Sequence, residues 1–250
     1  MFTTGDRDKV RATLLRWARE DPNIVGAAIT GSAARGVEDD WSDVDLLFGV
    51  GGGSATTAIR DRWSAAVYAE LGAVHHFDIV SGPAVYRAFL LPDLLEIDLG
   101  FAAAGEFGPR GSGEFRVVFG DPVPRVSAPA DVGRHIGFCW HHVRHARACI
   151  DRDQWWQAEH WIAALRTETI ALACLRLGLA SEYAKGADAL PVDLRSSLLS
   201  TLVRELTRAE LDRALGAAAD ALIVELHRTD PDAADRLHPA LSQLAGIASS

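Results

Sequence analysis

The sequence predicts an α/β protein in which an N-terminal domain with a small β-sheet is followed by an all-α helical bundle. Up to about residue 120, short apolar runs alternate with helical stretches, and beyond it the pattern is helical almost throughout. A proline-rich segment at 121–129 separates the two patterns, and closely spaced prolines can continue neither a helix nor a central strand. We therefore expect two domains, 1–124 and 125–250.

The first half is expected to open with a helix and to continue as a sheet. The helix covers about residues 6–20, because Val10, Leu14 and Trp17 recur on one helical face. A second helix is expected between the second and third strands. The strand candidates, which are short and mostly apolar, are 23–30, 43–50, 75–80, 85–90, 94–101 and 116–119.

The second half is expected to contain helices alone. Long amphipathic stretches follow Asp131 and Asp153, and a third helix begins near Pro191. The segment 207–210 has the Thr-x-x-Glu pattern of a capping box, in which both side chains satisfy amide groups at a helix start. The dipeptide at 230–231, Asp-Pro, opens a last helix.

Composition and charge exclude several classes of protein. The chain has 250 residues, of which 48% are hydrophobic and 24% charged, as in globular proteins and unlike disordered or collagen-like ones. No apolar run is long enough to cross a membrane. A net charge of −9 without a lysine or arginine tract disfavours long nucleic acids as partners. The three cysteines are too few for a disulfide framework and indicate reduced thiols in a cytoplasmic protein.

One stretch carries residues suited to chemistry on phosphates. Gly31 and Ser32 follow an apolar strand, and Asp43 and Asp45 open the next one. Glycine lets a phosphate approach the backbone, and a serine hydroxyl with the amides of a helix N-terminus forms an anion site. Because side chains two apart in a strand share a face, the two carboxylates lie together. Such a pair favours a divalent cation, and Mg²⁺ prefers carboxylate and phosphate oxygens.

The order of these parts resembles the nucleotidyltransferase superfamily that includes DNA polymerase β. Its signature is an apolar residue, Gly-Ser, about a dozen residues and then Asp-apolar-Asp-apolar, which residues 29–32 and 43–46 fill here. The family places a third carboxylate on a later strand, and Asp98 matches it. The resemblance covers roughly residues 5–120. The helical remainder resembles, in length and helicity, the C-terminal bundle of the aminoglycoside and lincosamide nucleotidyltransferases.

The resemblance implies a small mixed sheet and an enzyme that transfers a nucleoside monophosphate, AMP from ATP in the first instance, to a hydroxyl of a small-molecule acceptor. Asp43, Asp45 and Asp98 would bind one or two Mg²⁺ ions and form the catalytic set, and pyrophosphate would be released. With an aminoglycoside or a lincosamide as acceptor, the protein would confer antibiotic resistance. The general base is open between Asp98, Glu96 and a residue of the helical domain.

Two cations are candidates for phosphate contacts beside Gly31 and Ser32. Arg35 follows the Gly-Ser turn, and Lys185 lies in a polar break between two helices. Lysine is rare in this arginine-rich chain, so a lysine in such a break indicates a point charge for phosphate. A solvated loop cation is the alternative for Lys185.

Other polar and aromatic residues carry weaker signals. His141 and His145 share a helical face, but zinc needs further ligands that this segment does not supply. Asp78 lies in an apolar strand, so it is either ion-paired or at a sheet edge near the site. The spacing assigns most of the following tryptophans to the core: Trp140, Trp155, Trp156 and Trp161. The alternative for one or two of them is to stack on an adenine or to line an acceptor cleft.

Two other functions fit the same residues: a nucleotidyltransferase that modifies a protein hydroxyl, and a nucleotide-binding module without turnover. Three mutually repelling carboxylates argue against the module, which has no need of them. The expected partners are an NTP and a small acceptor, with no membrane, in a monomer or a homodimer. Because both halves of the chain are acidic, we expect a cationic or polyhydroxylated acceptor.

Overall fold

The computed structural model describes residues 1–51, 55–109, 115–124 and 129–246. The chain divides into two units, Met1–Ala128 and Pro129–Ser250. The predicted domain boundary adjoins residues 125–128, which lie outside the described residues. The first unit is α/β and the second is helical, so the predicted fold class is confirmed. Within the described ranges, no helix combines the length and the apolar character needed to cross a membrane.

The elements of the first unit, in chain order, are α1 Thr4–Glu20, β1 Ile24–Ile29, α2 Gly31–Arg35, β2 Val44–Val50, α3 Thr56–Leu71, β3 His75–Ser81, β4 Ala84–Leu90, β5 Glu96–Ala103 and β6 Arg116–Phe119, with a 3₁₀ turn at Ala104–Glu106. The strands form one mixed sheet in the order β3-β4-β5-β2-β1-β6. Of its neighbouring strands, β2 and β5 are parallel and the other pairs are antiparallel. All six strand candidates of the sequence form strands, with ends that differ by a few residues.

The main core of this unit lies between one face of the sheet and the helices α1 and α3. Alternate residues of β2, among them Leu46 and Phe48, face this core and are fully buried. Phe48 packs against Trp63 of α3 with ring centroids 4.7 Å apart. Asp45 alternates with these residues and therefore lies on the opposite face, where a smaller cluster around Phe107 packs.

The second unit consists of helices joined by turns. The elements are α4 Val132–Asp151, α5 Trp155–Arg176, α6 Val192–Leu199, α7 Arg208–Thr229 and α8 Pro231–Ala245, with 3₁₀ turns at Glu182–Ala184 and Ala187–Ala189. Asp131 begins α4 by accepting a hydrogen bond from the Arg134 amide at 2.9 Å, and Asp230 begins α8 in the same way. Four of the helices, α4, α5, α7 and α8, share a core that is mostly alanine and leucine.

The capping box predicted at the start of α7 is only half formed. The Thr207 hydroxyl accepts from the amide of Glu210, as expected. The Glu210 carboxylate instead accepts from the amide of Arg204 and from the Arg213 guanidinium. A nearby guanidinium offers this carboxylate a charge-assisted bond that a neutral amide cannot match.

The assignment of the tryptophans to the core is wrong for three of the four. Trp156 is 78% exposed, and Trp140 and Trp155 are also exposed. The buried face of α5 carries Ala158, Ile162 and residues at the same spacing further along. Trp156 lies two positions before Ala158, about 200° around the helix, so it points away from that face.

Candidate active site

Two neighbouring strands bring the predicted carboxylates together. In the parallel pair of β2 and β5, Asp45 lies directly opposite Asp98. Asp43 immediately precedes β2, two residues from Asp45. With one carboxylate oxygen counted from each, the ligand atoms of Asp43, Asp45 and Asp98 all lie within 4.8 Å of one another. Oxygen donors at this separation are suited to a divalent cation such as Mg²⁺.

Gly31 makes room for the carboxylate of Asp45. Its φ is +63°, and a Cβ built on it would lie 1.8 Å from Asp45 Oδ2 and 2.6 Å from Asp45 Cγ. The neighbouring Thr30 amide donates to the Asp45 carbonyl oxygen at 3.1 Å. The glycine turn and the acidic strand are therefore fitted to each other, and a side chain at position 31 would displace Asp45.

The short helix α2 follows this turn, and polar groups at its start lack partners among the described residues. Thr30 precedes the helix but gives its amides no side-chain cap. The Ser32 hydroxyl is buried and makes no hydrogen bond with any described residue. A buried hydroxyl without a partner is costly, so its free donor is available to a ligand.

Two arginines lie on or beside α2. Arg35, predicted from the sequence, is exposed in the last turn of α2. Arg116 of β6 donates to the carbonyl oxygen of Ala33 at 3.3 Å, so a second guanidinium lies next to the helix. Arg116 is recognisable in the sequence only as a cation at the start of a short strand.

Asp98 is the least satisfied of the three carboxylates. Its Oδ1 is buried and has no hydrogen-bond partner among the described residues. Burial, followed by the charges of Glu96 and Asp43, raises the pKa of Asp98 to about 7. A divalent cation would offset all three causes, so these residues fit a metal with oxygen ligands.

We expect Asp98→Asn to raise the melting temperature of the protein in EDTA at pH 8, by about 3–6 °C. The pKa of Asp98 is about 7 in the folded state against 3.8 for the free carboxyl, so ionisation penalises folding as the pH rises from about 4 to 7. The gain in the variant should therefore shrink towards pH 4. A variant that melts at a lower temperature than the wild type at pH 8, or an increase in melting temperature that does not depend on pH, would contradict this electrostatic assignment.

The loop that carries Asp43 is anchored to α1 by a buried arginine. Arg7 is 4% exposed, and its Nη1 donates to the carbonyl oxygens of Asp39 and, at 3.3 Å, of Ser42. Its Nε lies 3.3 Å from the Glu38 carboxylate. Because Ser42 directly precedes Asp43, Arg7 fixes the peptide from which this carboxylate projects. In the sequence, the only signal for a buried arginine here is the position of Arg7 seven residues before Leu14, on the buried face of α1.

Replacing Arg7 with methionine is expected to weaken the binding of a divalent cation by the carboxylate cluster about tenfold or more, since it removes hydrogen bonds worth about 1–3 kcal/mol. Methionine keeps the apolar stem of the side chain, and Arg7→Lys should recover part of the effect. The measurement is titration of the protein with Mn²⁺, with Arg16→Met on the exposed side of α1 as the control. Unchanged Mn²⁺ binding would assign Arg7 to folding alone.

Three other predicted candidates lie outside this cluster. The carboxylate of Asp78, on the edge strand β3, accepts two hydrogen bonds from Arg87, at 2.6 and 2.9 Å. Of the two alternatives for Asp78, the structure therefore supports the ion pair. Lys185 is exposed in the second unit, with Nζ 5.8 Å from the centroid of the Tyr183 ring, and its phosphate role stays a prediction. Glu96 is exposed at the start of β5.

Among the described residues, the histidines of α4 have no third ligand with which to form a metal site. The rings of His141 and His145 lie 4.3 Å apart between centroids. In the part of the chain that the structure describes, Asp43, Asp45 and Asp98 are the only three His, Cys, Asp or Glu side chains close enough to share one ion.

No family model and no curated protein matches this sequence. Among solved structures, an aminoglycoside 6-adenyltransferase from Bacillus subtilis aligns with 98% of this chain and 99% of its own, at 10% sequence identity and a TM-score of 0.43. At this distance the similarity assigns no role to any residue. The roles of the site residues therefore depend on their own geometry and chemistry.

Proposed function

We propose that the protein is a Mg²⁺-dependent nucleotidyltransferase that transfers AMP from ATP to a hydroxyl of a small-molecule acceptor. The observation that carries this proposal is the convergence of Asp43, Asp45 and Asp98 beside Gly31, whose missing Cβ leaves room for Asp45. A carboxylate site for a cation next to a turn with unpartnered donors is what a metal-bound triphosphate requires.

The residues divide into a cation-binding set and a phosphate-binding set. Asp43, Asp45 and Asp98 would hold Mg²⁺, which when bound neutralises charge on the triphosphate and on the departing pyrophosphate. The Ser32 hydroxyl and the uncapped amides of α2 would donate to phosphate oxygens. Arg35 would add positive charge from the same short helix.

The reaction needs a base for the acceptor hydroxyl, and Asp98 is suited to it. The hydroxyl oxygen bonds to the α-phosphorus, the bond from that phosphorus to the bridging oxygen breaks, and pyrophosphate leaves. The hydroxyl proton passes to an oxygen of Asp98, which is buried, whereas Glu96 is exposed. Bound Mg²⁺ would keep the Asp98 carboxylate ionised, so that it could accept this proton.

A transfer assay tests this function and identifies the acceptor. ATP labelled at the α-phosphate is incubated with Mg²⁺ and with panels of aminoglycosides, lincosamides, tRNA and extract proteins at two salt concentrations. We expect label on a small cationic or polyhydroxylated molecule, with one pyrophosphate released per transfer and no label from γ-labelled ATP. Label on a protein would support the protein-modifying alternative. Label on an RNA 3′ end that weakens steeply with salt would overturn the small-molecule assignment.

Lys185→Ala is expected to raise the KM for ATP by about tenfold, because a charged hydrogen bond to phosphate contributes about 1.5–3 kcal/mol. The melting temperature should hardly change, since Lys185 is exposed. The measurement is steady-state kinetics with varied ATP, with Lys9→Ala, the other lysine of the chain, as the control. Unchanged kinetics would show that Lys185 is a solvated surface cation without a role in ATP binding.

A further inference from the structure

A cavity of about 470 Å³ lies within the second unit, among α5, α6 and the segment that follows α6. Its wall is mostly apolar, with contributions from Ile170, Leu198 and Leu199. Leu199 is 64% exposed although it belongs to this wall, and Val192 and Leu202 at the same cavity are also exposed. The volume lies in the range of small-molecule sites, which bury most of their ligand.

Arg166 of α5 lines this cavity, and two of its nitrogen atoms have no hydrogen-bond partner among the described residues. Its Nη1 donates to the Thr201 carbonyl oxygen at 3.1 Å and to the Thr201 hydroxyl at 3.4 Å. Its Nε and Nη2 donate to none of the described residues, and none of their carboxylates lies within 4.0 Å of it. Burial lowers the pKa of Arg166 below its usual value. The charge of Glu159 acts in the opposite direction but does not cancel this effect, so the guanidinium lacks a close anionic partner.

The turn after α6 is held by another arginine, so support for this turn does not account for the presence of Arg166. Arg213 of α7 already donates to the carbonyl oxygens of Ser200 at 2.6 Å and Leu202 at 2.8 Å. The neighbouring Arg176, in contrast, is paired with the buried carboxylate of Glu225 at 2.6 Å. Arg166 therefore differs from Arg213 and Arg176, which pair with Glu210 and Glu225, in lacking a carboxylate within 4.0 Å among the described residues.

The charges around the cavity favour an anion. Arg195 and Asp188 also line it, and Arg195 donates to the Asp188 carbonyl oxygen at 3.2 Å. With Arg166, the lining carries two positive charges and one negative charge. The apolar wall would in turn favour a ligand with a hydrocarbon or aromatic body.

We infer that this cavity binds a small amphipathic carboxylate, whose head pairs with Arg166 and whose apolar chain lies along Leu198, Leu199 and Leu202. The planar guanidinium matches a carboxylate through parallel N–H donors, and Nε and Nη2 are the pair that remain. The lining residues of this cavity all belong to the second unit, and its existence does not depend on the proposed nucleotidyl transfer.

The test is calorimetric titration of the full chain with octanoate. Titration of the unaltered protein with octanol tests whether the negative charge of the ligand is needed. Titration with butyrate tests whether the longer hydrocarbon tail is needed. Arg166→Gln removes the cation, and Arg144→Gln, an exposed arginine of α4, is the charge-matched control. Leu199→Asn alters the apolar wall at an exposed position where folding is tolerant. Melting temperatures of all variants are measured alongside.

We expect one octanoate per chain, with Kd at least about tenfold higher in Arg166→Gln and in Leu199→Asn and within about twofold in Arg144→Gln. Octanol and butyrate should each bind at least about tenfold more weakly than octanoate. Absence of saturable binding, equal binding of octanoate and octanol, or an Arg166→Gln variant that binds as the wild type does would overturn the inference. If Arg166→Gln does not fold, the octanol comparison and Leu199→Asn decide the outcome.

Discussion

Asp45→Asn is expected to lower nucleotidyl transfer at least about 10²-fold, because the loss of one metal ligand removes several kcal/mol of charge stabilisation in the transition state. Asp43→Asn should have a similar effect. Asp45 lies opposite Asp98 across β2 and β5, and Asp43 completes the group. An asparagine keeps the size of the side chain but provides a neutral ligand, so the fold should stay intact.

The matched control for these variants is Asp40→Asn. Asp40 is an exposed carboxylate in the same loop, three residues before Asp43, and it lies outside the acidic cluster. The measurement is kcat and KM for ATP over a range of Mg²⁺ concentrations, with melting temperature as the folding control. Near-normal turnover in Asp45→Asn would remove Asp45 from the metal site, and a similar loss in Asp40→Asn would point to the charge of the loop instead.

Gly31→Ala is expected to abolish measurable transfer and to lower the stability of the first unit. A Cβ at this position would lie 1.8 Å from Asp45 Oδ2, so the carboxylate must move away from Asp43 and Asp98. The positive φ adds about 1–2 kcal/mol of backbone strain for any residue other than glycine. Activity and melting temperature together measure the two effects.

Gly36→Ala separates steric displacement from backbone strain. Gly36 has a φ of +70°, close to that of Gly31, but a Cβ built on it has no atom within 4 Å. The two variants should therefore lose similar stability from strain, whereas only Gly31→Ala should lose metal binding. Equal activity in the two variants would show that the fit between Gly31 and Asp45 has no part in catalysis.

Much of the fold and the pairing of Asp43 with Asp45 could be predicted because the signals are local. The apolar runs give the strands, and the spacing of Asp43 and Asp45 gives their shared face. That Asp98 lies opposite Asp45 depends on the parallel register of β2 and β5, which periodicity does not determine. The family resemblance supplied that part of the prediction.

The residues that the sequence did not reveal make contacts between segments far apart in the chain. Arg7 binds the loop before Asp43 from α1, and Arg116 reaches Ala33 of α2 from β6. Hydrophobic periodicity describes which face of an element is buried, but not which polar partner a buried arginine finds there. The same limit applies to Arg166, whose lack of a carboxylate partner depends on the packing of α5 and α6.

Asp43, Asp45 and Asp98 are proposed to form one divalent-cation site that serves a bound nucleotide. Titration with Mn²⁺, followed by the electron paramagnetic resonance signal of the free ion, tests this without knowledge of the acceptor. We expect saturable Mn²⁺ binding that tightens when ATP is present, that is competed by Mg²⁺, and that is lost in Asp45→Asn but kept in Asp40→Asn. Mn²⁺ binding that is equal in the wild type and Asp45→Asn, with and without ATP, would contradict the claim.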